Sequence, residues 1–299
     1  MKKILVIGSS NVDLIFRVDK FPNDGETILA TSFEQNLGGK GLNQAIAAKL
    51  SGANVKFLTA IGNDSNGKYI LNEVKKYGLD IYPIIKDCET GSAAILVNNQ
   101  NSENQIVVSG GANIKLNKED IDNNIELIKE CDYLLLQLEI PLNVIEYVIK
   151  LADIYNKEIL LNPAPYKNID LNILKKISYI TPNEGELYQL VNHYSNDYVK
   201  NTNVLLNLGI KNILVTLGKN GSYLVNDTTK FKMESIKVNS IDTTGAGDCY
   251  NGVFLSFLTQ GYSIFDSMKY ATIASAMSVQ KIGAAKSYPT KEEILNFSD

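Results

Sequence analysis

Residues 4–13 read Ile4-Leu5-Val6-Ile7-Gly8-Ser9-Ser10-Asn11-Val12-Asp13, and the change of character along this stretch decides the fold. Four consecutive apolar residues closed by a glycine suit a strand buried on both faces, the mark of a parallel sheet. The polar residues that follow stand at the carboxyl end of that strand, where open α/β sheets bind ligands. Met1-Lys2-Lys3 ahead of the run gives it the outline of a signal peptide. Four apolar residues are too few for the core of such a signal, so a buried first strand is the better reading. The run does not pass into a Gly-x-Gly-x-x-Gly turn, which disfavours a dinucleotide site and with it a dehydrogenase.

Working outward, apolar runs at 55–61, 133–137, 159–161, 179–181 and 213–217 alternate with helical patterns. The segment 41–50 is Ala-rich and closes at Gly52, 67–77 closes at Gly78, and 142–155 follows Pro141, read as a first-turn residue. Such alternation predicts a mostly parallel sheet with helices on both faces. From Gly245 onward the chain reads as helical almost to its end, with Gly261 and Gly283 as breaks. Two segments interrupt the rhythm. Residues 13–32 show short alternation broken by Pro22 and Gly25; residues 92–110 hold two apolar runs around Asn98-Asn99-Gln100-Asn101. Both read as antiparallel β-structure, the second as a hairpin. They are expected to form a small lid, approximately 13–37 and 92–110, inserted in one α/β domain spanning 1–299.

The composition narrows the chemistry. The 29 basic and 33 acidic residues of the 299 give a net charge of −4, with no basic block to suggest a nucleic-acid partner. No stretch approaches the roughly 18 apolar residues of a membrane span. Arg17 is the only arginine and His193 the only histidine. Arginine clamps on phosphate and multi-histidine metal sites or triads are thereby excluded. Cys88, Cys131 and Cys249 are scattered and odd in number, which points to a reducing, cytoplasmic setting without disulfides. His193 reads as a surface loop residue, and Cys249 as a small helix residue packed near the site.

Six segments can carry chemistry. In Asp242-Thr243-Thr244-Gly245-Ala246-Gly247-Asp248, a Gly-Ala-Gly turn opening a helix leaves backbone N–H groups aimed at one point, an anion site. Asp248 then places a carboxylate beside it that could take a proton from an attacking hydroxyl; an ordinary cap fits too. Gly38-Gly39-Lys40-Gly41-Leu42-Asn43-Gln44-Ala45 brings backbone close to a small polar ligand, and is not a Walker A loop. Asn11 and Asp13 follow the first strand, and Gln137-Leu138-Glu139 ends the strand at 133–137, putting Glu139 on the same rim. In Thr181-Pro182-Asn183-Glu184-Gly185-Glu186, Asn183 and Glu186 share a helix face and could hold Mg²⁺ through water, or form a capping box; the spacing fits both. Thr216-Leu217-Gly218-Lys219-Asn220-Gly221 could cradle phosphates or simply turn a hairpin.

Taken in order, these segments resemble the ribokinase branch of the PfkB family of sugar kinases. The likeness covers nearly the whole chain and includes Phe21-Pro22-Asn23-Asp24-Gly25-Glu26-Thr27, Thr90-Gly91-Ser92-Ala93, Gly111-Ala112-Asn113 and Asn162-Pro163-Ala164-Pro165. It implies a three-layer αβα sandwich with a β-lid, and transfer of phosphate from ATP to the 5-hydroxyl of D-ribose. Deoxyribose, fructose or a nucleoside are the alternative acceptors, and a non-catalytic sugar-binding regulator is the alternative outside catalysis. By resemblance Asp248 is the catalytic base, and Gly245, Ala246 and Gly247 are the anion hole. Asn11, Asp13, Gly39, Lys40, Asn43 and Glu139 bind sugar; Asn183, Glu186, Thr216, Gly218, Gly221, Gly247 and Thr272 bind nucleotide. Mg²⁺ and K⁺ are the implied ions, the latter held by Asp242, Thr244, Ser278, Lys281, Gly283 and Ser287. A homodimer through the lid is implied as well. Three features depart from the branch: Gly245 stands where many ribokinases have alanine, Cys249 replaces the usual threonine, and Gly283-Ala284-Ala285-Lys286-Ser287 lacks the common Gln-Pro before its serine.

Overall fold

Alternate residues of the first strand face opposite cores. In the computed structural model, which describes residues 1–100 and 103–297, Leu5 and Ile7 enter one apolar cluster while Ile4 and Val6 enter another. A strand buried on both faces this way must lie in the middle layer of three.

The strands are β1 (Lys3–Ile7), β2 (Asn11–Val18), β3 (Ser32–Gly38), β4 (Asn54–Gly62), β5 (Asp80–Lys86), β6 (Ser92–Asn98), β7 (Asn104–Ser109), β8 (Tyr133–Leu136), β9 (Glu158–Leu161), β10 (Tyr179–Ile180), β11 (Asn212–Thr216), β12 (Ser222–Val225) and β13 (Lys230–Met233). The helices are α1 (Lys40–Leu50), α2 (Ser65–Val74), α3 (Lys118–Asp122), α4 (Ile125–Glu130), α5 (Leu142–Ile154), α6 (Leu171–Leu174), α7 (Glu184–Leu190), α8 (Tyr198–Asn207), α9 (Ala246–Thr259), α10 (Ile264–Ser278) and α11 (Lys291–Phe297). The large sheet has nine strands in the order β13-β12-β11-β10-β9-β8-β1-β4-β5. It is parallel from β5 to β11, with β12 and β13 antiparallel at one edge. The chain first builds outward from β1 to β4 and β5, then returns to β1's other side at β8. That reversal is a topological switch point, and the crevice at its carboxyl end is the expected ligand site.

The second sheet has the order β3-β2-β6-β7. The two interrupting segments both read as antiparallel; β2 pairs antiparallel with β3 and β6 with β7, but β2 and β6 run parallel. Local alternation shows β-structure in each segment but not how the two segments join. Asn101, part of the turn expected in the second segment, lies outside the described residues. Pro141 is not in a first helical turn either: with ψ 131 it is extended and precedes α5 as its cap residue, since proline can fix φ without entering the helix. The sequence pattern also passed over β5, β12 and β13, edge or near-edge strands with polar alternation; Pro83 is tolerated at the β5 edge.

Helices α1 and α9 lie side by side, and their contact sets the site. A Cβ at Gly252 would sit 2.5 Å from the carbonyl oxygen of Gln44. Glycine there lets the two backbones approach closely enough for side chains of the first turn of α9 to reach those of α1.

Candidate active site

Asp248 is 6% exposed in the first turn of α9. Its Oδ2 accepts from Asn43 Nδ2 at 3.1 Å and its Oδ1 from Gln44 Nε2 at 2.9 Å. Gln44 has no freedom to turn over. Its Oε1 accepts from Gln137 Nε2 at 2.7 Å, and its Nε2 also meets Asn162 Oδ1 at 3.1 Å. Asn162 in turn donates from Nδ2 to the Thr181 carbonyl at 2.9 Å. This buried amide chain, drawn from α1 and the ends of β8 and β9, presents only a donor to Asp248. It fixes the orientation of the carboxylate.

The turn ahead of α9 is the candidate anion site, its Ala246 N–H also donating to the Thr243 carbonyl at 3.2 Å. Gly245 caps the helix with φ 74, a left-handed conformation that glycine adopts without strain. A Cβ there would also lie 2.5 Å from Tyr288 Oη, which donates to the Gly245 carbonyl at 3.0 Å. The departure from alanine at this position thus has a partner in Tyr288. Gly247 has open space on its Cβ side, as close approach of a phosphate requires.

On the other side of Asp248 lies a polar pocket. Glu139 Oε2 accepts from Ser9 Oγ at 2.5 Å and from the Lys40 backbone N–H at 3.0 Å, tying the β1 and β8 ends to the start of α1. Asn11 Oδ1 accepts from Asn113 Nδ2 at 2.8 Å, and Asn113 also fixes Ser10 through its backbone. Asn43 Oδ1 is buried without a partner among the described residues. Asp13 is pushed up to about 6 by burial, with the carboxylates of Glu139 and Asp248 adding to it. The Lys40 ammonium is driven up by Asp248 in spite of its own burial. Acceptor carboxylates around one ammonium suit a neutral polyol, whose hydroxyls can donate to them, and repel a phosphorylated one.

A cavity of about 580 Å³ lies beyond the anion turn. Asn183, Thr216, Gly218, Gly221, Gly247 and Thr272 line it, together with Lys219, Lys237, Ile236 and Val238. Asn183 bridges to Thr216, and Gly218 opens the 3₁₀ turn between the antiparallel strands β11 and β12. That segment is therefore at once a hairpin turn and a cavity wall. Glu186 is not in this lining. It closes a capping box with Asn183, accepting from the Asn183 N–H at 2.9 Å while Asn183 Oδ1 accepts from the Glu186 N–H at 2.8 Å. Burial raises the Glu186 carboxyl, and it lies within the field of Lys40 and Asp248.

The six residues expected around K⁺ fall on two stitched segments. Asp242 accepts from the N–H groups of Thr244 and Gly283, each at 2.9 Å, and the Ile241 and Asp242 N–H groups reach the Val279 carbonyl. Burial alone would raise Asp242, but those bonds hold it below the ordinary carboxylate range. Ser278 and Ser287 donate to the Ser275 and Ala284 carbonyls, and the Lys281 N–H meets the Ser278 carbonyl. Cys249 is fully buried, and burial raises its thiol. His193 is exposed and packs edge-on to Tyr188. Ser9, Gln44, Gln137, Asn113 and Asn162 carry much of the site, though sequence reading gave them no role. Their signal was their place in the glycine- and strand-end motifs. Ile236 and Val238, in an irregular segment, gave none.

The match to known proteins is extensive. The model of the pfkB family carbohydrate kinases matches residues 1–291. The chain belongs to the pfkB family of carbohydrate kinases. A ribokinase of Staphylococcus aureus is 38% identical, covering 98% of this chain and 98% of its own. A deoxyribokinase of Salmonella typhi is 35% identical over 97% of this chain and 96% of its own. The chain spans 56% of the length of a bifunctional ribokinase/ribose-5-phosphate isomerase A of Fructilactobacillus sanfranciscensis, at 38% identity. Among solved pfkB-like folds, a ribokinase from Thermotoga maritima superposes with a TM-score of 0.92 at 37% identity, covering 100% of this chain and 99% of that one. The Arabidopsis thaliana ribokinase complexed with ribose and ATP gives 0.90 at 27% identity, covering 99% and 98%. The αβα sandwich with its smaller sheet is the ribokinase fold, and the chain is a carbohydrate kinase.

Proposed function

We propose that this kinase transfers the terminal phosphoryl group of ATP to the 5-hydroxyl of D-ribose, giving D-ribose 5-phosphate and ADP. The observation that carries the reading is the position of Asp248. One carboxylate lies between a pocket of hydroxyl acceptors and the turn that opens onto a nucleotide-sized cavity. Asn11, Asp13, Gly39, Lys40, Asn43 and Glu139 hold the sugar; orientation of this kind supplies at most roughly 7–11 kcal/mol of barrier reduction. Asp248 takes the hydroxyl proton as the sugar oxygen bonds to the γ-phosphorus and the bond to the β-phosphate oxygen breaks. The Gly245–Gly247 amides meet the charge on the transferring group, an effect worth several kcal/mol in related sites.

Mg²⁺ fits as a companion of the nucleotide. Among the described residues no cluster of three or more Asp, Glu, His or Cys could hold a metal, so the protein offers single carboxylates such as Glu186, as Mg²⁺ on phosphates requires. Bound there, it would neutralise phosphate charge. K⁺ would be held by Asp242, Thr244, Ser278, Lys281, Gly283 and Ser287; the ionised, hydrogen-bonded Asp242 and the loop carbonyls form an oxygen-donor set that fits it. We place the enzyme in the cytoplasm, as its free cysteines favour. We also propose a homodimer through the lid, since the edge strand β7 leaves Ile106, Val107 and Val108 exposed. Light scattering of Val107→Asp against the unaltered chain tests it: both of one mass would count against the dimer. For the substrate, ADP release is measured over pentoses, deoxypentoses, hexoses and nucleosides. Ribose leading in kcat/KM supports the proposal; 2-deoxyribose or a nucleoside leading replaces it with that acceptor, and ADP release with none of them favours a binding protein.

A further inference from the structure

We infer that Asn36 recognises the sugar, reading a hydroxyl beside those taken by Asp13; this rests on the sugar-kinase reading above. Asn36 stands directly opposite Asp13 in the β2–β3 pair. Opposed residues of antiparallel strands put their side chains on one face, with Cβ atoms about 4.5–5.5 Å apart. The residue is 6% exposed, yet neither Oδ1 nor Nδ2 has a hydrogen-bond partner among the described residues. Buried amides are nearly always satisfied, so an amide with both atoms unmet awaits a ligand or a water. Asn43, among the residues assigned to the sugar, carries the same mark at its Oδ1.

A cavity of about 50 Å³ lies against Asn36, bounded by Tyr69, Glu73, Tyr77, Ala284, Ala285 and Lys286. It has room for one hydroxyl or one water, not for a second ligand. Tyr69 does not satisfy the amide, because its hydroxyl donates to the Gln35 carbonyl at 2.9 Å. Asp13 can only accept once ionised, whereas an amide both donates and accepts, so it can hold a hydroxyl in either sense. A pocket built to bond a hydroxyl discriminates strongly against the analogue lacking it, because the buried polar group is then left unmet. Asn36 is thereby placed to separate ribose from a deoxyribose.

Asn36→Leu, close in volume, and Asn36→Ala are assayed with D-ribose, 2-deoxy-D-ribose, 3-deoxy-D-ribose and ATP. The expected result is a ribose KM raised at least tenfold, with kcat and the ATP KM within threefold. Discrimination against one deoxyribose should fall at least fivefold. Nucleotide binding by calorimetry identifies a variant that has not folded, and the other then decides. A ribose KM within twofold of the unaltered enzyme would overturn the inference and leave Asn36 with a structural water. So would an ATP KM that rises in step with that of ribose, the sign of general damage. Failure of the unaltered enzyme to use any of these sugars would instead overturn the ribose reading.

Discussion

Asp13→Asn should stabilise the protein while impairing it. The Asp13 carboxyl titrates near 6 in the folded chain, against an ordinary 3.8, because burial and two neighbouring carboxylates oppose its ionised form. A group whose folded pKa is raised contributes stability at low pH that is lost as pH rises through the folded value. The shift, 6 − 3.8 in pKa, corresponds to a penalty of about 3 kcal/mol at pH 8, shrinking to about 0.5 kcal/mol at pH 4. Asparagine keeps the shape and removes the charge. For a chain of this length the gain is roughly 5 °C in Tm at pH 8, from the usual unfolding entropy per residue, and close to nothing at pH 4. The assay is a pair of thermal melts of both proteins across pH 4–8, with ribose kinetics alongside. Sugar KM should rise in the variant, and in the unaltered enzyme kcat/KM for the sugar should fall about tenfold per unit below pH 6. A variant less stable at pH 8, or a Tm difference that does not change with pH, would refute the reasoning.

Two further perturbations test the supports of the site. In Gly38→Ala, the added Cβ would lie 2.1 Å from Asp13 Oδ1; displacement of that carboxylate should raise sugar KM tenfold or more while ATP KM holds, as steady-state kinetics would register. Gln44→Leu removes one of the two side-chain donors on Asp248 and takes away the bonds that Gln137 Nε2 and Asn162 Oδ1 make to Gln44. It should lower kcat about tenfold to a hundredfold while sugar and ATP KM hold, since the base loses a bond that orients it; an unchanged kcat would count against the amide chain as the orienting device.

How much of this was legible in the sequence follows from physical scale. The parallel core was legible because strands buried on both faces write unbroken apolar runs, as in Ile4-Leu5-Val6-Ile7. Edge strands β5, β12 and β13 were not, because half-solvated strands mix polar and apolar residues. Asp248, Lys40 and Asn43 stood out since glycine turns beside them mark close backbone approach. Gln44, Gln137 and Asn162 act through one another across separations of 93 and 118 residues, and no local pattern encodes a pairing at that range. The same holds for Tyr288 beneath Gly245, where a glycine in place of alanine gained its meaning only from a residue 43 positions away. For Glu186 the sequence allowed a metal-holding face or a capping box; the box is formed, and its carboxylate still lies in the electrostatic reach of Lys40.

The account turns on proton removal at one carboxylate, and Asp248→Asn tests that directly. The variant is nearly isosteric and can keep its place beside Asn43, so ribose and ATP should still bind by calorimetry. Its kcat should fall by roughly 10²–10⁴-fold, the range for loss of a general base. Turnover within threefold of the unaltered enzyme, with both substrates bound, would contradict it.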